Sequence, residues 1–158
     1  MNTSLRSWRN EGHLSAHKTS AEEVSDLLAV ADRDLEDCAS AGLSADNRLG
    51  IAYSAALACA KAALAAAGYR AKTASGHYYT IQSLAHTMRC EPKLISQLDG
   101  FRRKRNRSDY ERIGTVTEQE AEEMVQLARF LRSAVEDWLR SHYPHLLVQE
   151  RGETRMLE

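Results

Sequence analysis

Apolar residues recur at spacings of three and four along several segments of the chain, a pattern typical of helices that bury one face. The first such segment covers residues 21–41 and follows Ser20, which forms a capping-box pattern with Glu23. A second helix is predicted over residues 45–67, with Ser44 as its N-cap. No segment alternates β-branched and polar residues, so the predicted fold class is all-α.

Further helices are predicted in the second half of the chain. Residues 69–76 are polar and contain glycine, which predicts a loop, and residues 77–88 then predict a short helix. Pro92 suits the first turn of another helix, whose C-terminal half carries a run of basic residues. Thr117 begins a capping box before a long amphipathic helix over residues 118–142. The predicted architecture is an up-and-down bundle of four to five helices.

The predicted helices define one folded unit. With 158 residues the chain is long enough for a single domain with its own core. The helical bundle is expected over residues 20–143. Residues 1–19 and 144–158 lack apolar periodicity and are expected to be flexible tails.

Charge changes this picture at one place. The chain has 21 basic and 22 acidic residues, yet five of its cations lie within residues 102–107. Outside this run acidic residues therefore outnumber basic ones, so the positive charge is local. A concentrated cationic cluster attracts phosphates or acidic partners, whereas a chain of near-zero net charge has little general affinity for nucleic acid.

Cysteine content and hydropathy predict the compartment. The three cysteines lack CxxC spacing, which favours a reducing compartment. The N-terminal residues contain no apolar core of a signal peptide. Residues 51–67 form the longest apolar run but are mostly alanine and include Lys61, which is weak for a bilayer span. The expectation is a cytoplasmic protein without a membrane segment.

The order of these parts resembles that of the HEPN superfamily. It consists of an amphipathic helix, the alanine-rich stretch continuing to Arg70, a short helix with His77, and an arginine-rich run ending in Ser-Asp-Tyr at residues 108–110. The resemblance covers roughly residues 24–141. It implies an all-α bundle, commonly a homodimer, without a cofactor. Active members are metal-independent ribonucleases, many of them toxins or defence proteins.

The ribonuclease motif of that family is an arginine, usually followed by a polar residue, with a histidine four to six residues further on. In one register Arg105 and Asn106 match the start of the motif, and Tyr110 occupies the position of the histidine. In the other, Arg103 is the arginine, Ser108 replaces the histidine and Tyr110 matches the tyrosine of a toxin subgroup. The candidate catalytic residues are Arg103, Arg105, Asn106, Ser108 and Tyr110. The candidate nucleic-acid-binding residues are Arg102, Arg103, Lys104, Arg105 and Arg107.

Neither register supplies a histidine, which matters for proton transfer. Histidine accepts a proton near neutral pH, with an ordinary pKa of about 6.5, whereas tyrosine has a pKa of about 10. His77 or His86 is a candidate to replace the missing motif histidine if its side chain reaches the arginines. The alternative is that these histidines have a structural role. His13 and His17 are four residues apart but lack neighbouring carboxylate or thiolate ligands, so no metal site is predicted.

Three functions remain open from the sequence. The first is a homodimer that binds or cleaves RNA or a nucleotide, as an active or attenuated ribonuclease of a toxin–antitoxin or defence system. The second is a non-catalytic helical adapter that binds a partner protein such as a nucleotidyltransferase. In the third, the basic run is a solvated helix end that pairs with acidic residues at the start of the last helix: Glu118, Glu120, Glu122 and Glu123.

Overall fold

A computed structural model describes residues 4–72, 76–106 and 115–147 of the chain. The described helices are α1 (Leu5–Asn10), α2 (Ala21–Asp37), α3 (Ala45–Ala66), α4 (Gly76–Gln82), α5 (Pro92–Arg105) and α6 (Glu118–His142), with 3-10 turns at Ser83–Ala85 and Pro144–Leu146. Two short strands are β1 (Leu14–Ala16) and β2 (Tyr69–Ala71). The all-α bundle predicted from the sequence is confirmed.

Helix α3 is the centre of the bundle and packs between α2 and α6. Most of its residues are buried, and most of those are alanine or cysteine, whose small side chains allow neighbouring helices to approach closely. Within the described ranges, α3 is the one helix long and apolar enough to cross a membrane. However, 78% of its most apolar window is buried inside the protein, as in the core helix of a bundle.

Helices α2 and α6 cover α3 with one apolar face each. The Ser20 and Thr117 hydroxyls accept hydrogen bonds from the backbone N–H groups of Glu23 and Glu120, so both predicted N-caps are present. Helix α6 has the predicted bounds, and its buried stripe includes Met124, Ala128, Leu131, Val135 and Leu139. Helix α2 ends at Asp37, four residues earlier than predicted, before a turn in which Gly42 adopts a φ of +87°.

The N-terminal segment differs from the flexible tail that we expected over residues 1–19. Ser4 caps α1, and β1 pairs antiparallel with β2, with Leu14 opposite Ala71 and Ser15 opposite Arg70. Leu14 is only 1% exposed, so this segment buries an apolar side chain. A strand of three residues is too short to show periodicity in the sequence, which explains the error.

The predicted loop over residues 69–76 is likewise partly wrong, because it contains β2. The predicted helix over residues 77–88 is α-helical only as far as Gln82 and continues as a 3-10 turn. The Thr80 hydroxyl donates to the Gly76 carbonyl at 2.7 Å, and the Ser83 hydroxyl donates to the Thr80 carbonyl at 2.6 Å. Such side-chain bonds compete with helical ones and account for the early end of α4.

The C-terminal segment was expected to be a tail from residue 144. Residues 144–146 instead form a 3-10 turn, and Leu146, which is only 6% exposed, packs in the core. Residues 148–158 lie outside the described ranges. The bundle therefore extends a few residues past the boundary predicted from the sequence.

Candidate functional site

The cations at the end of α5 point in different directions. Residues 102–105 form the last turn of α5, where positive charge interacts favourably with the helix dipole. Successive residues of a helix are about 100° apart, so residues three apart share a face while residues two apart do not. Arg102 and Arg105 therefore lie on one face of α5, and Arg103 does not lie with Arg105.

Arg102 and Arg105 both lie over aromatic rings. The Cζ atom of Arg102 is 5.4 Å from the ring centroid of Tyr78 in α4, and that of Arg105 is 6.0 Å from the ring centroid of Tyr53 in α3. A guanidinium over a ring face is attracted by the ring quadrupole. The two arginines are thus directed towards a surface to which α3, α4 and α5 each contribute.

Tyr53 forms the floor of this surface. It is 1% exposed, and its hydroxyl is buried without a hydrogen-bond partner in the described part of the chain. Burial raises the pKa of Tyr53 to about 12, although the nearby Arg102 and Arg105 act in the opposite direction. At neutral pH the Tyr53 hydroxyl is therefore protonated and is a hydrogen-bond donor, not a base.

His77 completes the group of side chains. Its ring centroid is 6.3 Å from that of Tyr53. Partial burial lowers the pKa of His77 from its ordinary value, and the positive charges of Lys61, Arg105 and Arg102 lower it further. At pH 7 His77 is neutral and has a nitrogen lone pair that accepts a proton. Tyr53, His77, Tyr78, Arg102 and Arg105 are together called the arginine face below.

The sequence itself matches a family model for the HEPN domain over residues 24–138. The chain belongs to the HEPN family. No curated protein and no solved structure gave a significant match to it. The HEPN match runs from α2 into α6 and includes the whole arginine face, whereas α1 and β1 precede it.

Three described cations of this HEPN chain's basic run, Arg102, Arg103 and Lys104, contact carboxylates. Asp99, which is 8% exposed, lies 2.7 Å from Arg102 Nε and 3.3 Å from Arg103 Nη1. Lys104 forms an ion pair with Glu120, and that hydrogen bond lowers the pKa of the Glu120 carboxyl. The hypothesis that the basic run pairs with the start of the last helix thus describes Lys104, whereas Arg103 pairs with a carboxylate of its own helix. Among the described residues, the contact of Arg102 with Asp99 uses Nε, and no carboxylate there contacts its terminal nitrogens.

The motif registers are only partly within the described ranges. Asn106 is exposed and caps α5, with its N–H donating to the Arg102 carbonyl at 3.0 Å. Arg107, Ser108 and Tyr110 lie outside the described ranges, so both HEPN motif registers stay predictions.

The remaining histidines have structural contacts. His86 packs edge-on against Trp8, and burial first and then Arg89 lower its pKa. His17 is hydrogen-bonded to Glu23 at 2.7 Å, and His13 stacks on a tyrosine ring at a centroid distance of 4.2 Å. Among the residues that the structure describes, no three His, Cys, Asp or Glu side chains are grouped to hold a metal.

Two residues of the site were missed or misjudged from the sequence. Tyr53 lies in the alanine-rich stretch, which indicates core and gives no sign that an arginine will reach its ring. Tyr78 lies on the apolar stripe of the predicted short helix, a spacing that favours the core, but it is 39% exposed, because α4 is short. Phe101, whose helical spacing likewise favours the core, is partly buried against it.

Proposed function

We propose that this HEPN protein binds single-stranded RNA on the arginine face. The observation that carries the proposal is the placement of Arg102 and Arg105 side by side, next to a neutral histidine, on a surface floored by tyrosine. Guanidinium groups bind phosphate bidentately and stack on aromatic planes, so the same side chains can contact backbone and bases.

Tyr78 supplies the base-binding part of the proposal. Its ring is 39% exposed and has Arg102 on one side. Stacking of a base on an aromatic side chain contributes about 1–3 kcal/mol and tolerates any sequence. We therefore expect little sequence preference from the arginine face alone.

Cleavage is a second candidate function, favoured specifically by His77. In this reaction His77 accepts the proton of a ribose 2′-hydroxyl while the 2′-oxygen of that ribose attacks the adjacent phosphorus. The 5′-oxygen of the next nucleotide leaves with a proton from solvent, and a 2′,3′-cyclic phosphate remains. Arg102 and Arg105 hold the charged phosphate oxygens. The Tyr53 hydroxyl is covered in this structure, so it donates a hydrogen bond to one of these oxygens only once Arg105 has moved from the ring to the phosphate.

Assembly follows from the family resemblance. We propose a homodimer, measurable by light scattering of the purified protein, in a reducing cytoplasmic setting. The adapter hypothesis uses the same cations for an acidic partner such as a nucleotidyltransferase. It predicts co-purification of that protein and no affinity for RNA, so an RNA-binding experiment separates the two functions.

The test is fluorescence anisotropy with a labelled single-stranded RNA of about ten nucleotides. The double variant Arg102→Gln, Arg105→Gln should bind at least about tenfold more weakly, or about 1.4 kcal/mol. Its salt dependence should fall by about 1.4 in log–log slope, since each phosphate contact in a single strand contributes about 0.7. The single variant Arg105→Gln keeps the bond between Arg102 and Asp99. Weaker RNA binding by this variant would therefore not be due to loss of that bond.

The matched control removes two exposed cations elsewhere, Lys93→Gln with Arg129→Gln, and should bind like the wild type. Failure of the wild type to bind RNA at low salt would overturn the proposal, as would equal affinity in the arginine variant. For cleavage, mass spectrometry should find the cyclic phosphate with the wild type and not with His77→Gln. Equal product from both proteins would remove His77 from the reaction.

A further inference from the structure

A basic groove has His77 among its lining residues. It has a volume of about 770 Å³ and lies between the two strands, the start of α2, and helices α3 and α4. Three cations line it: Lys61 from α3, and Arg70 and Lys72 from β2 and the residue after it. His77 lines this groove and also belongs to the arginine face, so the two surfaces share one residue.

Pairing with the N-terminal segment holds two of these cations, Arg70 and Lys72, in place. Alternate residues of an extended segment point to the same side, which puts Arg70 and Lys72 together. Pairing with β1 extends beyond the strands, since the Lys72 N–H donates to the His13 carbonyl at 3.1 Å and the His17 N–H to the Gly68 carbonyl at 2.8 Å. The segment expected to be a flexible tail is therefore the support of the groove.

The charge of the groove is positive and available. In the ranges that the structure describes, none of Lys61, Arg70 and Lys72 has a carboxylate at ion-pair distance. The one carboxylate lining the groove, Glu23, is bonded to His17 Nε2 at 2.7 Å and to the Thr19 hydroxyl. The Thr19 hydroxyl first, and then His17, lower the pKa of Glu23, so it carries one negative charge against three positive ones.

We infer that this groove is a second phosphate-binding subsite for the RNA strand bound on the arginine face. Tyr53 and Lys61 are eight residues apart in α3, which is about 12 Å along the helix axis. A stacked strand rises about 3.4 Å per nucleotide, so the groove receives a phosphate several nucleotides from the first. The inference rests on the proposed function, because the arginine face anchors the same strand.

The test compares two lengths of single-stranded RNA, a dinucleotide and an oligonucleotide of about ten nucleotides. The double variant Arg70→Gln, Lys72→Gln should bind the longer RNA at least about tenfold more weakly, with a log–log salt slope lower by about 1.4. It should bind the dinucleotide like the wild type. The control Lys93→Gln, Arg129→Gln removes the same charge and should bind both RNAs like the wild type.

The outcomes separate this inference from the function on which it rests. If the wild type binds neither RNA, the proposed function fails and the subsite fails with it. If the arginine-face variant loses RNA but Arg70→Gln, Lys72→Gln binds the longer RNA like the control, only the subsite is overturned. Polyglutamate that binds the groove as tightly as RNA would also overturn the inference, in favour of an acidic protein.

Discussion

Two regions of the molecule concentrate charged side chains, and they differ in what those side chains contact. Between α2 and α6, Arg132 Nε lies 2.7 Å from Asp32 Oδ1, and Arg132 Nη1 lies 2.8 Å from Glu136 Oε1. Arg140 contacts the other oxygen of Glu136 at 2.9 Å. On the arginine face, by contrast, Arg102 and Arg105 lie over tyrosine rings, although Arg102 also contacts Asp99 through Nε. Aromatic partners, not density of charge, distinguish the proposed binding surface from the structural network.

Burial alone would not separate the two regions. The side chains of Arg132 and Arg102 are each 19% exposed, and the α2–α6 region also borders a cavity, of about 670 Å³. The difference lies in the donors. Arg132 uses all three guanidinium nitrogens on carboxylate oxygens, while the bond from Arg102 to Asp99 uses Nε. The charge of Arg132 is therefore already matched by two carboxylates, and we expect it to contribute to stability.

The largest effect should come from Arg132→Ala, which removes the ion pairs with Asp32 and Glu136 between α2 and α6. We expect the free energy of unfolding to fall by about 2 kcal/mol, because hydrogen bonds to charged groups contribute about 1.5–3 kcal/mol. The bonds to Asp32 should contribute the smaller share, because this carboxylate is exposed to solvent. Urea denaturation measures this change. RNA affinity should be that of the wild type.

Arg105→Ala is the counterpart on the arginine face. It should lower the free energy of unfolding by about 1 kcal/mol or less, the size of an exposed cation–π contact, while weakening RNA binding. If Arg132→Ala weakened RNA binding, or if Arg105→Ala were the more destabilising of the two, the distinction between the regions would be wrong.

Local signals in the sequence predicted the helices well. Thr117 and Glu120 fixed the start of α6, and both capping bonds are present. The strands were missed because β1 pairs with a segment far along the chain, and three-residue strands leave no periodic pattern. The prediction of a flexible N-terminus failed for the same reason, since Leu14 is buried only through that pairing.

Only part of the candidate site could be predicted from the sequence. The cationic run was visible as composition, and helix geometry alone excludes Arg103 and Arg105 from one face. Selecting Arg102 and Arg105 required the positions of Tyr53 and His77, which come from two other helices. No local pattern carries that information, because it depends on how α3, α4 and α5 pack.

A smaller effect, on pH dependence, sharpens the role of His77. Its folded-state pKa is below the value of about 6.5 in an unfolded chain, so the unfolded chain binds more protons. The contribution of His77 to stability is therefore complete above about pH 6.5 and is lost as the pH falls through the folded pKa. RNA affinity should change in the opposite direction, since protonated His77 adds a charge beside the phosphate.

Anisotropy between about pH 7.5 and about pH 5.5 measures this effect. Wild-type affinity should rise on acidification several-fold more than that of His77→Gln, whose side chain cannot gain a charge. The other histidines are common to both proteins, so any effect they have cancels in the comparison. Parallel pH profiles for the two proteins would place His77 outside the RNA site.

The smallest expected effect is that of Tyr53→Phe, which removes one buried hydroxyl and keeps the ring beneath Arg105. That hydroxyl has no hydrogen-bond partner among the described residues, so its loss should leave the free energy of unfolding unchanged or raise it by up to about 1 kcal/mol. If it donates to a bound phosphate, RNA affinity should fall about two- to fivefold. Tyr143→Phe, beside the α2–α6 region, is the matched control and should leave RNA affinity unchanged. A destabilised Tyr53→Phe protein with normal RNA affinity would show that Tyr53 has only a structural role and that its hydroxyl does not donate to a bound phosphate.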